Sequence, residues 1–267
     1  MRLLSPLLFA LTLFAQASSP RDLSRGVNFY SLEKEIALGG QIANDYRAQA
    51  TLIDSPELLA RVEALARKLI PEDSRYRYSF ALVDDKLLLN EPVAFPGGFV
   101  FVPSGLILAA RDTDELCGML AHAIAHIESR HGTKQATKEQ IANQAAVPLI
   151  FMGGWTGFAT RRDNALAIPL GMLKFHRALE LDADLAAARL MRSQGYDPGR
   201  LANYIERVQP PDSDPPDARS PLPPRAQRVE ALRPLSVPDT PGDVRELQQL
   251  LRQSIPEKAT NPPRLAR

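Results

Sequence analysis

Leu116-Cys-Gly-Met-Leu-Ala-His-Ala-Ile-Ala-His-Ile-Glu-Ser-Arg-His131 is the stretch from which the rest of the chain can be read. Asp112 stands where an N-cap belongs, Glu115 follows three residues later, and Gly132 suits a C′ position, so the spacing predicts a single helix. Leu116, Met119, Leu120, Ile124 and Ile127 recur at helical intervals and give that helix a buried face. His122 and His126 are four residues apart, so their imidazoles leave the same side of it one turn apart. Two nitrogens so placed can reach one metal ion. Position 123, directly after the first histidine, is alanine.

A metal held by two histidines wants a third protein ligand, and zinc accepts a carboxylate. Glu180 supplies one, 54 residues after His126. Its helix reads Arg177-Ala-Leu-Glu-Leu-Asp-Ala-Asp184, with Arg177, Glu180 and Asp184 on one face. Asp184 is placed to accept a hydrogen bond from the far nitrogen of a ligating histidine, which fixes tautomer and ring orientation. His176, Glu180 and Asp184 are also spaced four apart, so His176 is a weak candidate for proton transfer near the metal. His131 lies off the ligand face, and its expected place is the helix C-terminus, facing the dipole. Cys117, the only cysteine, reads as a small buried side chain without a disulfide.

These motifs together resemble the HtpX/Oma-type zinc metallopeptidases, relatives of the CaaX prenyl endopeptidases. That family combines an L-A-H-E-I-A-H helix ending in R-H-G, an R-x-x-E-x-x-A-D helix and an upstream P-G-G strand. The corresponding segments here are Leu120 to His126 with Arg130-His-Gly132, Arg177 to Asp184, and Pro96-Gly-Gly98. The opening Ser31 to Gly39 and the later Gly195-Tyr-Asp-Pro198 are similar as well, so the resemblance runs over about residues 28–235. It implies an α+β fold, mostly α: one zincin-like metallopeptidase domain with a small sheet beside the HxxxH helix. It also implies one Zn2+ per chain on His122, His126 and Glu180, with Asp184 behind them. In peptidases of this shape a strand such as Phe99, Val100, Phe101 and Val102 aligns an extended peptide by backbone pairing. Three positions depart from the pattern. The general-base glutamate is Ala123, the histidine of the T-H-P-L-P loop is Ser220, and the asparagine of the N-A-F-A-x-P-G-G lead is Glu91. Glu91 and His176 are the two residues left as weak candidates for a replacement base.

Outward from these motifs the chain is organised simply. Met1-Arg2 followed by apolar Leu3 to Ala15 and Ala15-Gln-Ala17 reads as a cleaved secretory signal over residues 1–17. This implies a periplasmic or secreted protein. Residues 18–27 read as a disordered lead-in, 28–235 as the domain and 236–267 as a tail with a short helix. The 32 basic and 31 acidic residues nearly cancel, which argues against a nucleic-acid-binding surface. Helices are expected from Ser31 to about Tyr46, Pro56 to Leu69, Lys174 to Ser193, Pro198 to Val208, Gln227 to Leu232 and Asp243 to Ser254. Strands are expected at Tyr76 to Val83 and Phe99 to Val102, with Asp84 to Pro96 as a loop. Pro210 to Pro224 holds seven prolines, which forces an extended loop. The apolar runs within 145–175 are too short to span a bilayer. They read as packed helices covering the site, or as a lid in peripheral membrane contact.

The functional expectation has two branches. One is a metalloendopeptidase for unfolded or envelope proteins, impaired by the HAIAH sequence at residues 122–126. The other is a non-catalytic zinc-binding pseudopeptidase, acting as chaperone, adaptor or regulator through the old substrate groove. A polypeptide substrate or client is the partner in both.

Overall fold

The computed structural model describes residues 27–85, 91–143, 170–212, 220, 222–238 and 240–255. The signal segment, most of the lead-in, the apolar run 145–159 and most of the proline-rich loop fall outside the described residues. Helix α4 (Thr113–Glu128) lies at the centre, and every residue from Asp114 to Ile127 is buried. A helix apolar on nearly all sides has no solvent face to keep, which is why it sits inside. Asp112 caps it by accepting from the Glu115 backbone N–H at 2.9 Å, while the Glu115 carboxylate accepts from the Arg111 N–H at 2.8 Å. Against α4 pack α2 (Pro56–Leu69), α6 (Leu170–Ser193) and α7 (Pro198–Val208), with α5 (His131–Asn143) following it directly. A Cβ added at Gly118 would lie 2.9 Å from that of Leu201, so glycine sets how closely α7 approaches.

The sheet has the order β1-β3-β2, from β1 (Ser79–Val83), β2 (Val93–Phe95) and β3 (Phe99–Pro103). Strands β1 and β3 run parallel, and β2 pairs antiparallel with β3 from Val93↔Phe101 to Phe95↔Phe99. The β2–β3 turn is Pro96-Gly-Gly98, with φ of 91° at Gly97 and 100° at Gly98, where side chains are disfavoured. Along β3 the side chains alternate. Val100 and Val102 join the main core with α2 and α4, while Phe101 packs with Tyr46 and Phe95 under α1 (Leu32–Gln49). Each such buried side chain contributes about 1.5–3 kcal/mol. A layer of helix on either face of this strand explains its unbroken apolar run.

The remaining elements close the core. They are α3 (Ser104–Ala109), α8 (Arg225–Leu232) with a 3-10 turn after it, and α9 (Arg245–Ser254). The last helix buries Leu247 and Leu251 in the main core, and Gln248 donates to the carbonyls of Ile107 and Ala110 at 3.1 and 2.9 Å.

Three local expectations are corrected. The stretch 84–96 carries β2; its three residues are flanked by Pro92 and Pro96, too short for alternation to register. The central helix ends at Glu128, not His131, because Arg130 adopts φ of 56° and reverses the chain. The polar stretch after it is helical, and His131 opens α5, so Gly132 is not the C′ residue. A left-handed arginine costs roughly 1–2 kcal/mol. Here the buried Glu35 carboxylate accepts from its Nε at 2.6 Å, and the Tyr30 carbonyl accepts from Nη2 at 2.7 Å, which offsets that cost.

Candidate metal centre

Helices α4 and α6 bring three donor atoms together. His122 Nε2 and His126 Nε2 are 3.0 Å apart, and Glu180 Oε2 lies 3.3 Å from the first and 3.6 Å from the second. Tetrahedral zinc at about 2.0–2.1 Å from each donor sets its ligands roughly 3.3 Å apart, a value these three distances bracket. Glu180 Oε2 is buried and accepts no hydrogen bond, an orphaned acceptor of the kind a metal ligand presents. Burial opposes its charge, yet His126 and His122 hold the carboxyl well below the usual carboxylate range. Burial likewise opposes protonation of His122, but Asp184 and Glu180 outweigh it and push the imidazole up to about 9. The space between the rings therefore favours a cation. Among the described residues, these three form the one cluster of metal-binding type.

Behind His122 stands a charged pair. Asp184 Oδ1 lies 2.9 Å from His122 Nδ1, in direct contact with the imidazole. Both Asp184 oxygens accept from Arg228, each at 2.7 Å, and Arg228 is fully buried. Its Nη1 also donates to Gln209 Oε1 at 3.0 Å and lies 3.7 Å from Glu91 Oε1. Burial raises the Glu91 pKa while Arg228 opposes the rise, and Oε2 has no hydrogen-bond partner. Two buried carboxyls, Asp184 and Glu91, thus lie against one guanidinium.

Behind His126 stands His131. Its Nδ1 is 3.2 Å from His126 Nδ1, and its Nε2 is 3.0 Å from Asp182 Oδ2. The placement at a helix C-terminus is corrected: the reversal at Arg130 folds His131 back onto His126, where burial lowers its pKa to about 4.

The other expected site residues lie as follows. The Gln135 amide donates to His176 Nε2 at 2.7 Å, so that nitrogen's lone pair is engaged. Ala123 is buried in the main core. The Ser220 carbonyl accepts from Arg177 Nε and Nη2 at 2.9 and 2.7 Å, and its hydroxyl donates to the Leu222 carbonyl. Phe99 to Val102 forms the middle strand, so β1 and β2 take both of its edges. The outer strand that packs against α4 is β2.

Arg228, Gln209, Asp182 and Gln135 were not singled out from sequence. Arg228 did carry a signal: it stands four residues before Leu232, on the apolar spacing of its helix, where an arginine needs a buried partner. Asp182 carried none, since its partner is 51 residues away.

The model of peptidase family M48 matches residues 53–236. A β-barrel assembly-enhancing protease of Yersinia pestis is 27% identical over 191 residues, covering 67% of this chain and 38% of that protein. The protein of the same description from Escherichia coli K12 is 24% identical over 192 residues, with the same shares covered. Mitochondrial metalloendopeptidase OMA1 of Schizosaccharomyces pombe is 31% identical over 121 residues, 44% of this chain and 34% of that protein. The chain spans well under half the length of these curated relatives.

Proposed function

The chain belongs to peptidase family M48, and on that premise we propose that it is an exported, zinc-loaded member with crippled peptidase chemistry that handles unfolded or envelope polypeptides. One observation carries the reading: His122, His126 and Glu180 converge on a common point while the position beside them is Ala123.

When bound, zinc supplies Lewis-acid polarisation of a peptide carbonyl and of the attacking water. His122, His126 and Glu180 would hold it, with Asp184 against the His122 ring and His131 against that of His126. Alanine at 123 neither takes a proton from water nor returns one to the leaving amine. General acid–base catalysis is typically worth roughly 10²–10⁴-fold, so its loss slows the reaction without abolishing it. We assign that role to neither His176 nor Glu91. His176 Nε2 is engaged by Gln135, and Glu91 is buried with Oε1 3.7 Å from Arg228 Nη1.

An extended chain can pair with the outer edge of β2, Val93–Phe95, which among the described residues has no strand beyond it. The relatives' names, proteases that include a β-barrel assembly-enhancing one, support a polypeptide client, and residues 1–17 support export. No described helix is long and apolar enough to cross a membrane. The peripheral contact proposed for 145–175 rests on composition.

The test compares the chain as it stands with Ala123→Glu on a flexible casein-like substrate, each with and without chelator. Chelator-sensitive cleavage should rise by roughly 10²-fold or more in the variant. Strong chelator-sensitive cleavage by the unmodified chain would overturn the impaired reading. If both forms are inert yet bind zinc and the unfolded chain, the non-catalytic client-binding reading takes its place.

A further inference from the structure

We propose that His131 and Asp182 form a positioning relay that fixes the tautomer and direction of His126, so that its Nε2 carries the lone pair facing Glu180 and His122. This rests on reading His126 as a metal ligand and goes beyond it, since nothing in the ligand set requires His131.

The argument is one of donors and acceptors. An ionised carboxylate only accepts, so at 3.0 Å from Asp182 Oδ2 the His131 Nε2 must donate. A neutral imidazole has one N–H and one lone pair, so His131 Nδ1 accepts. The group 3.2 Å away, His126 Nδ1, must then carry its proton. His126 Nε2 is left as the lone-pair nitrogen, 3.0 Å from His122 Nε2 and 3.6 Å from Glu180 Oε2. Each bond forces the next.

The backbone supports the same assignment. In an unbroken helix a residue five positions on lies about 140° round the axis and about 7.5 Å along it, out of reach of His126. The left-handed turn at Arg130 removes that separation and returns His131 to its neighbour. The turn is held by Glu35, itself buried and also bonded to Thr133 on α5 at 2.8 Å. One helix completes both sides of the centre. From α6, Glu180 faces the donors, Asp184 stands behind His122, and Asp182 reaches the relay behind His126. A histidine that merely filled space would not need a directional partner at each nitrogen.

The experiment uses the full chain, stripped of metal and titrated with zinc against a chromophoric chelator, as the wild type and as His131→Ala, His131→Asn and Asp182→Asn. His126→Ala serves as the ligand-loss control. Loss of such outer partners typically costs roughly 10–100-fold in metal affinity, the effect expected for His131→Ala. His131→Asn should recover part of it, because its side-chain oxygen accepts where Nδ1 did. Asp182→Asn should weaken binding by about 10-fold, at the low end of that range, because an amide can donate as well as accept and so permits the opposite tautomer.

A second readout needs no metal. ¹⁵N spectra of the stripped protein should show His126 protonated at Nδ1, with Asp182→Asn moving that population toward Nε2. If His131→Ala does not fold, the half-buried Asp182→Asn variant carries both measurements. Wild-type affinity in all three variants, or His126 protonated at Nε2, overturns the relay. Failure of the wild type itself to bind zinc overturns the metal-centre reading instead, and the spectra still decide the relay.

Discussion

His122 and His126 leave the same helix one turn apart and are supported by different chemistry. Behind His122 is an ion pair in the dry core, Asp184 clasped at both oxygens by a fully buried Arg228. Behind His126 is a neutral imidazole leading to Asp182, whose side chain retains 15% exposure. The first support is part of what holds α6 and α8 together, because an unpaired charge there has no water to turn to. The second is local, and its last member can fall back on solvent. The difference teaches that a candidate metal centre can rest on one support bound up with the fold and on another that acts on a single histidine. Arg228 belongs to stability as much as to the site; His131 belongs to the site.

The largest expected effect comes from breaking the first support. Arg228→Met should cost about 3–5 kcal/mol in denaturant unfolding, since it strands Asp184 in the core. Adding Asp184→Asn to that variant should return part of the loss; a double variant as unstable as the additive sum would mean that the pair is not coupled.

The next effect separates the two supports by pH in the metal-stripped protein. His122 is raised from 6.5 to about 9, because Asp184 and Glu180 outweigh the burial that opposes it. A raised base stabilises fully below pH 6.5 and loses that contribution as pH climbs through about 9. His131, lowered from 6.5 to about 4 by burial, works the other way. Its contribution is present above 6.5 and disappears as pH falls through about 4. Melting temperature against pH should therefore fall on both sides of neutrality, with His122→Asn flattening the alkaline limb only. An alkaline limb unchanged in that variant would place the titrating group elsewhere.

The smallest effect sharpens the contrast. Asp182→Asn should change unfolding free energy by no more than about 1 kcal/mol, the net contribution of one partly exposed hydrogen bond, while still weakening zinc binding. A loss comparable to that of Arg228→Met would erase the distinction between the two supports.

Much of this architecture is legible along the chain because it depends on neighbours. The helices at Pro56–Leu69 and Pro198–Val208 have the expected bounds, each opening on proline at its first position, where the missing N–H costs nothing. Asp112 caps α4 as its spacing indicates. What escaped depends on distant partners or on single dihedrals. Three-residue β2 exists because β3 offers it an edge. The end of α4 is set by Arg130, which takes a left-handed conformation only because Glu35, 95 positions earlier, receives its guanidinium. The strand Phe99–Val102 reads as a core strand, but that it is central in the sheet follows from β2.

By itself the sequence determined the pair His122 and His126 on one helix side, the matching pair Glu180 and Asp184, and the absence of an acid–base group at 123. Those are consequences of helical period and residue type, which hold wherever the helix lies. Only the tertiary structure decided that α6 crosses α4 so that Glu180 meets both histidines, that Arg228 closes on Asp184, and that His131 turns back through Arg130 to meet Asp182. These contacts join side chains tens of residues apart. Their hydrogen bonds are directional, and the packing of α4, α5, α6 and α8 alone sets those directions.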